Sequence, residues 1–156
     1  MKANGEIKFN NDDLSYNVKL LIDTGASHCF VNPKIFSESI RTKIEEFKAN
    51  NSVNSLDMKI FNGFIQTVNA NNVSCCVFVD LNLKIGKWSG IQEFIISDEI
   101  ENENCILGRN FLKKNYVKID YGNNKLTIKA NKRKSIKNEC VEDIGYCEDK
   151  KHIQRF

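Results

Sequence analysis

The residues best placed to do chemistry sit together: Leu20, Leu21 and Ile22 run straight into Asp23, Thr24 and Gly25, with the small residues Ala26 and Ser27 behind them. An ionised carboxylate is expensive at the end of a buried strand unless something pairs with it. Asp23 therefore asks for a partner, and with one it could pass protons as a general acid or base. The competing candidates are weaker. His28 lies beside this loop, but a histidine at a strand end usually reads as a packed or half-exposed residue. Cys140, Cys147 and His152 do not have the spacing of a zinc site and lack an evident fourth ligand. Neither metal nor other cofactor is expected.

The elements that must hold Asp23 can be read outward from it. Residues 5–9 and 16–22 alternate as two strands around the polar turn Asn10 to Asp13, so a hairpin opens the fold and feeds into Asp23. Beyond it, Asn32 can cap a helix, Pro33 suits a first turn, and Ile35, Phe36, Ile40, Ile44 and Phe47 recur at near-helical spacing. That predicts a short helix that frays beyond Ser39. Two β-rich segments flank the run 69–72 and predict a long hairpin with its tip there, Asn62-Gly63 being the rival tip. Gly86 to Gly90 reads as a turn, with Trp88 a partly exposed packing residue, and residues 91–98 as a strand. The stretch from Cys105 predicts a buried strand ending at Gly108, a short helix from Arg109 to about Asn115, and a final hairpin turning at Tyr121 to Asn124. Residues 1–130 thus form one domain, and 131–156 lose their apolar periodicity and read as a charged linker or tail.

Composition adds bounds. A chain of 156 residues suits one domain with a real core, and 41% hydrophobic with 28% charged residues is ordinary for a globular protein. A net charge of +3 is too small to imply a nucleic-acid partner, and Lys132, Arg133 and Lys134 read as a solvated face. No apolar run approaches the roughly 18 residues of a membrane span, and the opening decapeptide lacks a signal-peptide core. The expectation is a soluble, intracellular, cytoplasmic protein whose six cysteines stay reduced and structural. Frequent asparagine without a repeat period reads as compositional bias.

Asp23-Thr24-Gly25-Ala26-Ser27 behind its apolar run, echoed downstream by Cys105-Ile106-Leu107-Gly108-Arg109-Asn110-Phe111-Leu112, resembles the retroviral-type aspartic proteases, and most nearly those of gypsy-type LTR retrotransposons. The resemblance spans about residues 5–130. It implies a mostly β, retropepsin-like half-barrel with one or two short helices and a β-hairpin flap, active as a homodimer in which each copy gives one aspartate. Two copies of Asp23 meeting across a two-fold axis could not both ionise at close range and would share one proton, which answers the burial question and supplies both acid and base. Thr24 would brace the partner's loop, Gly25 would let substrate backbone approach, Ala26 would keep the wall low, and Ser27 would offer a hydroxyl to the substrate. By carry-over, Leu21 and Ile106 line apolar pockets beside the cut bond; as residues alone they read equally well as core. The flap carry-over falls on Val68, Asn69, Ala70 and Asn71, where many relatives have glycine at the position of Ala70. Arg109 lacks the acid it pairs with in retroviral enzymes, because Ser27 stands there, and its role reads as structural. The strands near 5–9 and 117–128 are expected to carry the dimer interface.

What these residues imply is an aspartic endopeptidase that cleaves its own retrotransposon Gag-Pol polyprotein, with no cofactor, membrane or nucleic acid involved. Two other readings stay open: a domesticated cellular protease of the same type, and an inactive relic that only dimerises or binds peptide. The intact acid loop argues against the relic.

Overall fold

A computed structural model describes residues 1–66, 72–129 and 139–143, with side chains over 1–62 and 76–129. The opening hairpin forms as its alternation requires: β1 (Lys2–Phe9) pairs antiparallel with β2 (Ser15–Ile22), burying Ala3, Ile7 and Phe9 on one strand and Val18, Leu20 and Ile22 on the other. After Asp23 come β3 (Phe30–Val31), a 3-10 turn (Pro33–Ile35) and α1 (Glu38–Ala49). The hairpin strands β4 (Lys59–Gln66) and β5 (Asn72–Ile85) follow, then β6 (Trp88–Ile96), a second 3-10 turn (Asp98–Ile100) and β7 (Cys105–Leu107). The rest is α2 (Arg109–Lys114), β8 (Lys118–Asp120), β9 (Lys125–Lys129) and β10 (Glu139–Asp143).

The larger sheet runs β1-β2-β7-β3-β6-β5-β4 and closes on itself because β1 also pairs with β5. Six strands thus form a barrel, and β4 extends from it. One edge of β5 does two jobs: from Asn72 to Phe78 it takes β4, and from Leu81 to Lys84 it takes β1. Its other edge pairs with β6 from Val77 to Ile85. Val77, Val79, Leu81, Leu83 and Ile85 face the core at period two. β1 is squeezed between its neighbours at Gly5, where a Cβ would lie 2.6 Å from Leu20 Cδ1 and 3.1 Å from the Lys84 carbonyl oxygen.

Several local expectations change. The helical pattern after Asn32 is split in two. Asn32 caps only the 3-10 turn, its Oδ1 accepting from Lys34 N–H at 3.0 Å, while Ser37 restarts the chain as the cap of α1, accepting from Ile40 N–H at 3.4 Å. The part expected to fray is the regular helix, because Ile40, Ile44 and Phe47 bury one stripe against the core. Asn62-Gly63 is not a hairpin tip: Asn62 pairs with Cys75, and a register shift follows before Ile65, as a bulge gives. Trp88 is buried rather than partly exposed, with its ring edge-on to Phe111 at 5.5 Å and 86°. Residues 6–8 offer no open strand edge, since β1 is paired on both sides there. In the stretch read as linker or tail, β10 adds to β9 to make a second sheet, β10-β9-β8, so β9 is also paired on both sides.

Candidate active site

Asp23 is placed by parallel pairing. Leu20, Leu21 and Ile22 stand opposite Cys105, Ile106 and Leu107, and the pattern runs one step further, with Asp23 N–H donating to the Leu107 carbonyl at 3.0 Å. The chain then turns. Ala26 N–H donates to the Asp23 carbonyl at 3.2 Å, and Gly25 N–H donates to Asp23 Oδ1 at 2.9 Å, which fixes the orientation of the carboxylate. A Cβ at Gly25 would come within 3.2 Å of that same oxygen. Asp23 is half-buried; Thr24, Gly25 and Ser27 are exposed, and Ala26 and His28 half-buried.

The far half of the loop is held by the entry to α2. The first N–H groups of a helix have no intrahelical acceptor, and here the loop supplies them: Ala26 carbonyl accepts from Arg109 N–H at 2.7 Å and Ser27 carbonyl from Asn110 N–H at 3.3 Å. So close an approach leaves no room for a side chain at Gly108, whose Cβ would fall on the His28 carbonyl oxygen and 2.7 Å from that of Ala26. Asn110 adds a side-chain tie, its Oδ1 accepting from the Cys29 thiol at 2.9 Å and from Phe111 N–H at 2.7 Å. Burial pushes the Cys29 thiol up to about 12, so it stays protonated and can donate. Phe111 and Trp88 anchor this whole corner in the core.

Beside the loop lies a second apolar cluster, separate from the main core: Leu21, Phe30, Cys76, Ile95, Ile100 and Ile106, with Ala26 and Phe78 packed against it. Register explains it. Leu21 is opposite Ile106, Ile106 opposite Phe30, Phe30 opposite Ile95, and Ile95 opposite Phe78, so one row crosses the sheet from the aspartate strand to the hairpin. Phe61 on β4 continues it by stacking on Phe78 at 5.8 Å and 18°. Leu21 and Ile106, which the sequence left divided between pocket and core, therefore belong to neither the main core nor an open surface but to this row. Val68, Asn69, Ala70 and Asn71 lie outside the described residues.

Sequence reasoning missed two contributors. Asn110 was hidden because a tie to Cys29 needs the fold to bring residues so distant in sequence together. Tyr121, in the turn between β8 and β9, is half-buried, and burial together with the nearby charge of Asp23 raises its phenol. Arg109 is exposed and forms no ion pair with any described residue. Among the described residues no group of three or more His, Cys, Asp or Glu could hold a metal ion; Cys147 and His152 lie outside them. Nor is any described helix long and apolar enough to cross a membrane.

The model of the family described as retroviral aspartyl protease matches residues 13–134, which is most of the chain. The chain belongs to that family. Among solved structures, this retroviral aspartyl protease family member is similar to the retroviral protease-like domain of Ddi1 from Leishmania major, at 15% identity over 82% of this chain and 85% of that one, with a TM-score of 0.44. No curated protein matches. The family match takes in the aspartate loop, the hairpin strands, β7 and α2, all the elements that shape the loop in this retroviral aspartyl protease family member.

Proposed function

We propose that the chain is an aspartic endopeptidase that works as a homodimer, Asp23 from each copy forming one dyad. The observation that carries this reading is the state of Asp23 in a single chain. It is held at the mouth of a pinned loop, takes one hydrogen bond, from Gly25, and has no ion-pair partner among the described residues. A second copy supplies what is missing. Two carboxylates at close range hold one proton between them. The ionised one takes a proton from water as its oxygen attacks the peptide carbonyl carbon, and the protonated one gives its proton to the carbonyl oxygen. Collapse of the resulting tetrahedral diol returns a proton to the departing amine, so no covalent intermediate forms.

The substrate is a polypeptide. Gly25, Ala26 and Ser27 meet its backbone, Leu21 and Ile106 face its apolar side chains, and the family resemblance adds Val68, Asn69, Ala70 and Asn71 as further substrate-binding residues. Thr24 braces the partner's loop. The retroviral description of the family supports a retrotransposon Gag-Pol polyprotein as the natural substrate, and the buried, unbridged thiols of Cys29 and Cys105 support a reducing cytoplasm as its place.

Asp23→Asn tests the reading. The amide keeps the size and can still accept from Gly25 N–H, but it neither takes the water's proton nor gives one as an acid does. General acid and base catalysis is worth roughly 10²- to 10⁴-fold per group, so cleavage of a peptide library should fall to background while peptide binding persists. A mutant that cleaves at near the wild-type rate refutes the assignment. Equal inertness of both proteins with equal peptide binding would instead favour the peptide-binding relic.

A further inference from the structure

The connection from β6 to β7 has to cross a strand. β3 lies between those two in the sheet, with Val31 opposite Ile96 on one side and Cys105 on the other, so residues 97–104 arch over its end. Both feet of the arch are tied there: Ser97 N–H donates to the Val31 carbonyl at 3.0 Å, and Asn32 N–H to the Asn104 carbonyl at 2.9 Å. Asn32 is the first residue past β3 and is only 3% exposed. Buried backbone carbonyls need donors, and the two hydrogens of its amide supply a pair of them. Nδ2 donates to the Glu101 carbonyl at 2.9 Å and to the Glu103 carbonyl at 3.3 Å, while Oδ1 accepts from Lys34 N–H at 3.0 Å.

The arch needs this clamp. Glu101 has φ 49° and ψ −101°, a backbone state that glycine takes freely and a residue with a Cβ does not. Its side chain is exposed and forms no ion pair with any described residue. The Asn32 amide grips the carbonyl of that same residue. Directly before Glu101 the arch delivers Ile100, which is buried among Leu21, Phe30, Ile95 and Ile106 in the row beside the Asp23 loop.

We propose that Asn32 is a positioning residue for substrate: by clamping the arch it fixes Ile100 against the apolar row, and so sets how well that row receives a large apolar side chain. Asn32 meets no substrate and acts through the arch alone. The assignment rests on the polypeptide-substrate reading above. It adds to the row a remote determinant whose own chemistry is entirely polar.

Asn32→Asp separates the two jobs of the amide. A carboxylate still accepts from Lys34 N–H, so the cap of the 3-10 turn stays, but it has no hydrogen for the Glu101 and Glu103 carbonyls and meets them with negative charge. The probes are short peptide pairs alike but for Leu against Ala at one position, scanned through every position. Loss of one methylene-sized contact in an apolar pocket changes discrimination by about ten-fold or more. Asn32→Asp should therefore lose about ten-fold of the wild-type preference for Leu where the row receives it, through KM, with kcat kept within about three-fold. Ile100→Ala should lose the same preference, and the double variant no more than either, because residues acting through one contact are not additive. Glu101→Gly lets the arch keep its shape unaided, and adding it to Asn32→Asp should restore the preference. The proposal is overturned if Asn32→Asp keeps the wild-type preference, loses Leu and Ala peptides alike, or no longer folds by circular dichroism, which would make the amide merely structural. Additive losses, or no restoration by Glu101→Gly, overturn it equally. The same pairs are titrated onto the Asp23→Asn chain with and without Asn32→Asp. A preference that Asn32→Asp removes there, in a protein whose wild type cleaves nothing, refutes the endopeptidase reading and leaves Asn32 in its role; a chain that binds no peptide overturns both.

Discussion

Gly108→Ala would put a methyl group on the His28 carbonyl oxygen and 2.7 Å from that of Ala26. Carbon and carbonyl oxygen settle at about 3.3 Å or more, so the loop would have to retreat about 0.6 Å at Ala26 and further at His28. Its two hydrogen bonds to α2, at 2.7 and 3.3 Å, would stretch or break. Overpacking of this kind costs about 1–3 kcal/mol. In a domain of this size that lowers the melting temperature by about 3–10 °C. The chain should still fold, because the core residues around Phe111 are unchanged, but Asp23 loses its placement. A misplacement of order 1 Å costs about 10²-fold in rate, so kcat/KM on a cleaved peptide should fall far more than stability does. Gly122→Ala is the control, since its Cβ would meet only Asp120 Oδ1 at an ordinary 3.5 Å. If Gly108→Ala melts with wild type and keeps its kcat/KM within about three-fold, the contact does not pin the loop, and the account of how Asp23 is held is wrong.

Cleavage should peak at mildly acidic pH and fall on both sides, because a dyad works with one proton, and chelators should leave it unchanged; a rate that climbs steadily into alkali would contradict this. Stability should decline in alkali, for the sign follows from Cys29, whose folded value lies near 12 against an ordinary thiol near 9: below pH 9 both states are protonated and the advantage is whole, and from there up to about 12 the unfolded thiol ionises first, costing about 1.4 kcal/mol per pH unit. Urea midpoints measured from pH 8 to 11 should drop in wild type and drop less in Cys29→Ala. Ser37→Ala should cost about 1 kcal/mol by removing the cap of α1, read as a lower urea midpoint with an unchanged slope.

Much of this fold could be read from local pattern. The opening hairpin, the strand ending at Gly108 and the last turn at Tyr121 to Asn124 all announced themselves by alternation and turn residues. Misreadings came where distant partners decide. Trp88 is buried because Phe111 stands against it, which no local rule shows. The helix after Asn32 breaks because Asn32 is also bound elsewhere, its Nδ2 donating to the Glu101 and Glu103 carbonyls at 2.9 and 3.3 Å. β10 escaped notice because its stretch has no apolar period, and only its pairing with β9 reveals it. Of the site, Asp23 and its loop were legible as a motif. The row from Leu21 to Phe78 was not, since it exists only once strands from five parts of the chain lie side by side.

The division of labour along one edge of β5 has a consequence for how such a domain can change over generations. β4 leaves that edge after Phe78 and β1 joins it at Leu81, so the hairpin is attached to the closed ring without being part of its closure. Residues can be added to or taken from its outer reach, and the six-strand ring keeps every one of its own pairings. The pairing that attaches the hairpin and the pairing that closes the ring are therefore written in separate stretches of the same strand, which lets selection rewrite the first while the second stands still.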